Sequence, residues 1–180
     1  MKFLPLIWVL LLLSSCSKNE EDRPIEINWR TTQEELNSYR KELENMEVFE
    51  GNIYIGRYIN DISALNQLTE VTGELTFGSI ELKSIRLPNL ERVGELDIAG
   101  NSSLKIIDIP QIKTVDDAIT IMSNSALDTL QMNNLRRIED GGINIIFNDS
   151  LQSIGLQRLE WYNGLNFRWN PVLNQVNLQP

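Results

Sequence analysis

The feature that most constrains this chain is a spacing. Leu82, Leu104, Leu127, Leu151 and Leu173 follow one another at steps of 22, 23, 24 and 22 residues. A period this constant marks a solenoid, in which each repeat is one coil that cannot bury its own apolar face and must rest on its neighbours. Aligned on Asn101, the unit reads V-x-G-x-L-x-I-x-x-N-x-x-L-x-x-I-x-L-P-x-L-x-x. Its first apolar position is Val71, Val93, Val115, Ile138 and Tyr162 in successive coils. The L-x-I pair is Leu75/Phe77, Leu96/Ile98, Ile119/Ile121, Ile143/Ile145 and Leu165/Phe167. A shorter first coil fits less closely, with Val48, Ile53/Ile55, Ile62, Leu65 and Leu68 in the apolar positions.

Inside a coil, apolar and polar residues alternate, as in Leu96-Asp97-Ile98 and Ile107-Asp108-Ile109. That is the two-residue period of a strand with one buried face. No segment from Val48 onward holds a 3.6-residue period for the ten or so residues a helix requires. Each coil therefore reads as short strands joined by turns, equivalent strands stacking into parallel ladders about 4.8 Å apart. Six coils make a prism on the order of 25–30 Å long. Asn101, Asn124, Asn148 and Asn170 fall at one turn in successive coils. An amide there can satisfy backbone groups the turn leaves unpaired and can stack as a ladder. An exposed polar row touching a ligand is the competing reading; the structural one is preferred.

The beginning of the chain has a different character. Residues 1–15 combine Lys2, an apolar run from Leu4 to Leu13, and small residues before Cys16, the pattern of a secretory signal whose apolar core is too short to span a bilayer. Leu13-Ser14-Ser15-Cys16 resembles the bacterial lipobox, which implies that Cys16 becomes the lipid-modified first residue and anchors the protein to a membrane. Cys16 is the only cysteine, so an intramolecular disulfide is ruled out. Residues 16–30 read as an acidic tether. Ser17-Lys18-Asn19-Glu20-Glu21-Asp22 resembles the short acidic signal that sends some Gram-negative lipoproteins to the outer face of the outer membrane; an anchored protein facing the periplasm is the alternative. Residues 31–47 read as an N-terminal capping helix: Thr32 and Glu35 form a capping box, and Leu36, Tyr39, Leu43 and Met46 share one face. Such a helix covers the open end of the first coil; binding a partner is its alternative role.

The run from Glu42 to Ile55 (E-L-E-N-M-E-V-F-E-G-N-I-Y-I), followed by the L-x-I…L-x-x-I-x-L coils, resembles the receptor L domain, the leucine-rich ligand-binding domain of the insulin and epidermal growth factor receptors. The resemblance spans about residues 36–180. It implies a mainly β, right-handed β-solenoid of leucine-rich-repeat type over residues 48–180, with about six coils of 22–24 residues behind the capping helix. In those receptors a cysteine commonly stands where this chain has Met46, so the resemblance implies a cap held here by packing alone.

Function is constrained mostly by exclusion. The chain has no histidine, and its one cysteine is assigned to lipid, which removes Ser-His-Asp, Cys-His and histidine metal chemistry. Asp116-Asp117 and Glu139-Asp140 read as solvated turns, in preference to acid–base or calcium sites. The formal charge is −9, and −10 once Lys2 is removed, with no basic stripe; nucleic acid and anionic headgroups are poor partners. No cofactor is expected. Asp128-Thr129-Leu130 and Asp149-Ser150-Leu151 resemble a bacterial O-glycosylation signal, with Thr129 and Ser150 as acceptors. Trp161, Tyr162, Phe167 and Trp169 crowd the last coil, either as a cap or as a stacking platform for sugar rings with Trp161 and Trp169 exposed. With no closing helix before Pro180, end-to-end pairing of two copies is a further expectation. The resulting expectation is a non-catalytic, lipid-anchored envelope module of a Gram-negative bacterium that recognises a protein or glycan through one solenoid face. The alternative is a structural or spacer protein that self-associates or scaffolds its neighbours.

Overall fold

A computed structural model describes residues 25–178. Signal segment and lipidation site, including Cys16, lie outside the described residues. The chain winds into a β-solenoid of about six turns with two parallel sheets and very little helix. The first coil contributes β1 (Val48–Phe49) and β2 (Ile53–Ile55). The second contributes β3 (Glu70–Gly78) and β4 (Ser84–Arg86), and the third β5 (Arg92–Ala99) and β6 (Ile106–Asp108). The fourth splits its first run into β7 (Thr114–Val115) and β8 (Ile119–Met122) before β9 (Thr129–Gln131). The fifth repeats this as β10 (Arg137–Ile138), β11 (Ile143–Ile146) and β12 (Ser153–Leu156). The last coil ends in β13 (Leu165–Arg168) and β14 (Gln175–Leu178).

Pairing follows the sequence columns. Ile55, Phe77, Ile98, Ile121, Ile145 and Phe167 lie in continuous register across the larger sheet. Ile85, Ile107, Leu130, Ile154 and Val176 do the same across the smaller one. Alternation sends these side chains inward, where the two sheets share one apolar column; Ile98, Ile121, Ile107 and Leu130 are completely buried. Coil length varies at the corners without disturbing the strands. Between Val71 and Glu74, β3 carries one residue more than β5 does between Val93 and Glu95. The longest corner holds Gly141 and Gly142. A Cβ on Gly142 would lie 2.6 Å from the carbonyl oxygen of Gly164, so glycine lets the next coil approach.

The N-terminal end is closed. Thr32 accepts from the Glu35 N–H while the Glu35 carboxylate accepts from the Thr32 N–H, which starts α1 (Gln33–Ser38). Leu36 and Leu43 are fully buried, with Tyr39 and Met46 packed at their edges. The helix differs from the continuous one expected over residues 31–47. It breaks at Tyr39, and α2 (Arg40–Leu43) follows. The Ser38 hydroxyl donates 2.7 Å to the Glu35 carbonyl and competes with the Tyr39 N–H, whose bond to that oxygen stretches to 3.3 Å.

Two inward positions also differ from expectation. Phe49 rather than Val48 pairs with Val71 and is buried, leaving Val48 44% exposed. Two adjacent apolar residues cannot both face inward on a strand, and pairing with β3 selects the second. In the last coil Leu165, Phe167 and Leu173 are only half-buried, and Val176 and Leu178 are exposed. No further coil rests on them among the described residues, so the apolar column ends partly open.

Candidate functional site

One corner of the solenoid is built identically in five coils. Ser79, Gly100, Ser123, Phe147 and Trp169 all have φ between 56° and 71°, the left-handed conformation that reverses the chain at the end of the larger sheet. In the last four of these coils the next residue is an asparagine. Asn101, Asn124 and Asn148 are completely buried. The Asn124 Oδ1 accepts from the Asn101 N–H at 3.1 Å and from Asn101 Nδ2 at 2.9 Å. Its own Nδ2 donates to the Ile98 carbonyl and to Asn148 Oδ1. The pattern continues from Asn148 to Asn170, and it ends at the other side where the Ile80 N–H donates to Asn101 Oδ1. Each amide thus satisfies the turn of the coil before it, and Asn148 and Asn170 also donate to the carbonyl two residues back, clamping the left-handed Phe147 and Trp169 between.

That clamp matters most where the residue is bulky. Left-handed backbone costs an ordinary side chain on the order of 1–2 kcal/mol, and an aromatic there is a marked outlier. Phe147 and Trp169 nevertheless occupy adjacent steps of this corner, 49% and 68% exposed. Their rings stack with centroids 5.9 Å apart and planes within 8°. Sequence reasoning singled out Trp169 but missed Phe147. The recoverable signal was its place immediately before Asn148, in a column filled by serine and glycine in the three preceding coils.

Trp161 is 56% exposed and stands at the opposite end of the last coil's run, bridged in register to Arg137, whose guanidinium lies 5.8 Å from its ring. Trp161 and Trp169 are therefore not stacked on each other. Between them the outer face carries a shallow groove of about 370 Å³ lined by Gly142, Asn144, Asn163, Gly164 and Asn166 among others. Asn166 Nδ2 donates 3.2 Å to Asn144 Oδ1. Among the described residues, the Asn144 Nδ2 and the Asn166 Oδ1 have no protein partner.

Further along the same face the outward residues become acidic. Glu74 and Glu95 are opposed in register, with Thr76, Asp97 and Thr120 beside them. The Glu74 carboxylate accepts from Tyr54 at 3.1 Å and from Thr76 at 2.6 Å, whereas the Asp97 Oδ1 is buried without a partner. Burial, then the Glu74 charge, raises the Asp97 carboxyl above its ordinary range. Glu95 rises for the same reasons, with Asp117 and Asp97 adding to them. The Tyr54 phenol is raised chiefly by its bond to Glu74. Among the described residues, no group of three or more Asp, Glu, His or Cys side chains is arranged to hold a metal ion.

The remaining carboxylates singled out from sequence, Asp116, Asp117, Glu139 and Asp140, sit at corner turns, and Asp116 and Glu139 have basic partners. Asp116 is 3.0 Å from Arg92, and Glu139 is 2.9 Å from Arg137, which holds the Glu139 carboxyl below its ordinary range. Thr129 lies half-buried within β9, on the outward face opposite the buried Leu130. Ser150 is exposed on a turn beside Asp149 and Gln152. No protein-family profile, curated protein or solved structure matches this chain.

Proposed function

We propose that this protein is a non-catalytic recognition module, tethered to the envelope of a Gram-negative bacterium through an acylated Cys16 and exposed at the cell surface. Acyl chains at about 0.8 kcal/mol per buried methylene make such an anchor durable. The observation that carries the recognition role is the exposed Phe147–Trp169 stack. Two bulky rings hold a backbone conformation that glycine supplies at no steric cost elsewhere in the same column, and they face water. Strain retained at an exposed site points toward function, since stability alone would favour its removal. A relation to the receptor L domains, drawn from the Glu42–Ile55 run and the coils after it, belongs to the same proposal.

The full-length acylated protein, used as bait on native outer membranes and spent growth medium, tests the role. Capture of a foreign protein or polysaccharide supports recognition. Recovery of further copies of the bait alone supports the structural reading instead, which the half-covered apolar column of the last coil favours. The Cys16→Ser variant is expected to leave the membrane fraction and to lose the acyl mass; retention of both would remove the anchor from the proposal.

A further inference from the structure

We infer that the outer face of the last two coils is a binding site for an uncharged oligosaccharide, with one pyranose ring laid against the Phe147–Trp169 stack and its neighbours held by Asn144 and Asn166. This rests on the recognition role and names its site and ligand class.

Sugars present two chemistries at once, and this face offers a match for each. The apolar C–H face of a pyranose covers an aromatic ring, and an amphipathic ring at low conformational cost is a preferred anchor for such contacts. Phe147 and Trp169 stack on each other 8° from parallel on two adjacent coils, and both stay exposed, which leaves ring surface open to a sugar. Hydroxyl groups both donate and accept, and the free Asn144 Nδ2 and Asn166 Oδ1 supply one donor and one acceptor from side chains already bonded to each other. The groove beside them includes Gly164, where an added Cβ would meet nothing within 4 Å, so a flat ligand can reach the backbone there.

The site is also built in advance. Phe147 is fixed by its N–H bond to the Arg168 carbonyl at 3.2 Å, and the residue after it, Asn148, is buried and bonded to Asn170. Asn170 Nδ2 in turn donates to the Ile145 and Arg168 carbonyls. A platform whose backbone is already ordered loses less entropy on binding, which is the gain from preorganisation.

Charge selects among sugars. Every residue lining the groove is neutral, in a chain of formal charge −9. Glu74, Glu95 and Asp97 extend the same face on the N-terminal side and repel a polyanion running along the coils. Arg168 is exposed next to Trp169, and its guanidinium serves here as a donor to hydroxyls.

Tryptophan fluorescence and calorimetric titration of the whole protein with short neutral oligomers of glucose, mannose, galactose and N-acetylglucosamine test the assignment, with oligouronates as the charged arm. Saturable binding to at least one neutral series is expected. Trp169→Ala and Asn166→Ala should each weaken it about tenfold, the loss of one good contact, with the thermal midpoint lowered by no more than about 6 °C, so that the protein stays folded during the titration. Trp169→Phe should restore part of the affinity, and Thr76→Ala, on the same face in the second coil, should leave it unchanged. Absence of binding across the neutral panel overturns the inference, as does neutral binding indifferent to both variants. A salt-sensitive preference for oligouronates would overturn the uncharged assignment. If native envelopes still supply a ligand whose capture survives Trp169→Ala, this site is wrong and the recognition role stands.

Discussion

Asn124→Ala is the sharpest test of how the coils are joined. Asn124 is completely buried in the middle of the amide column. Removing its side chain leaves the Asn101 N–H without its acceptor, deprives Asn101 Nδ2 of one of two acceptors, and removes a donor from the Ile98 carbonyl and from Asn148 Oδ1. A buried donor left unsatisfied costs about 1–3 kcal/mol, and each further net hydrogen bond contributes about 0.5–1.5 kcal/mol. The expected loss is about 3–5 kcal/mol, a large part of the 5–15 kcal/mol typical of a folded domain. Asn170→Ala is the internal comparison. It orphans the Asn148 N–H in the same way, but Asn170 is only half-buried and water can replace part of what is lost. The expected loss there is about 1–2 kcal/mol. Urea unfolding followed by far-ultraviolet circular dichroism at constant slope measures both. Equal losses at the two positions, or a loss below about 1 kcal/mol at Asn124, would refute the claim that the buried amides satisfy otherwise orphaned backbone groups.

Three other perturbations probe different parts of the molecule. Ile121→Asp places a carboxylate in the centre of the shared apolar column, between Ile98 and Ile145, and is expected to abolish cooperative unfolding; a melting curve within a degree or two of wild type would refute the register. Phe147→Gly relieves about 1 kcal/mol of left-handed strain while losing an exposed stack worth about 0.5–1.5 kcal/mol, so the net change in stability should stay within about 1 kcal/mol. A loss above about 2 kcal/mol would make the ring a structural cap. Asp97→Asn tests the acidic row. A carboxyl whose folded value is raised above the ordinary 3.8 penalises the fold once it ionises; the penalty is full above the raised value and absent below the ordinary one. The asparagine variant should therefore melt higher than wild type near neutrality, with the advantage fading as pH falls toward 3.8. An advantage independent of pH would assign the effect to packing or hydrogen bonding.

Local pattern carried much of the architecture. The alternation around Leu96-Asp97-Ile98 determines which side chains of a strand share a face, and the recurrence of that alternation every 22–24 residues leaves few arrangements other than stacked coils. The Thr32–Glu35 cap was equally legible, because its two partners lie within one turn of helix. The choice of Phe49 over Val48 was different. Both are apolar and adjacent, and only pairing with β3 decided between them. So was the break at Tyr39, which depends on where one hydroxyl of Ser38 turns.

The face of the molecule is where tertiary structure decided most. Phe147 is unremarkable in sequence, and its meaning appears only when the next coil lays Trp169 against it from 22 residues away. The acidic row is likewise assembled from residues in successive coils, Glu74 beside Glu95, whose separation along the chain conceals their contact. By itself the sequence determined a periodic, inward-facing apolar column, because burial follows from alternation within a few residues. Which outward side chains become neighbours was decided only by the register between coils, since that register is set by hydrogen bonds and corner lengths distributed over the whole stack.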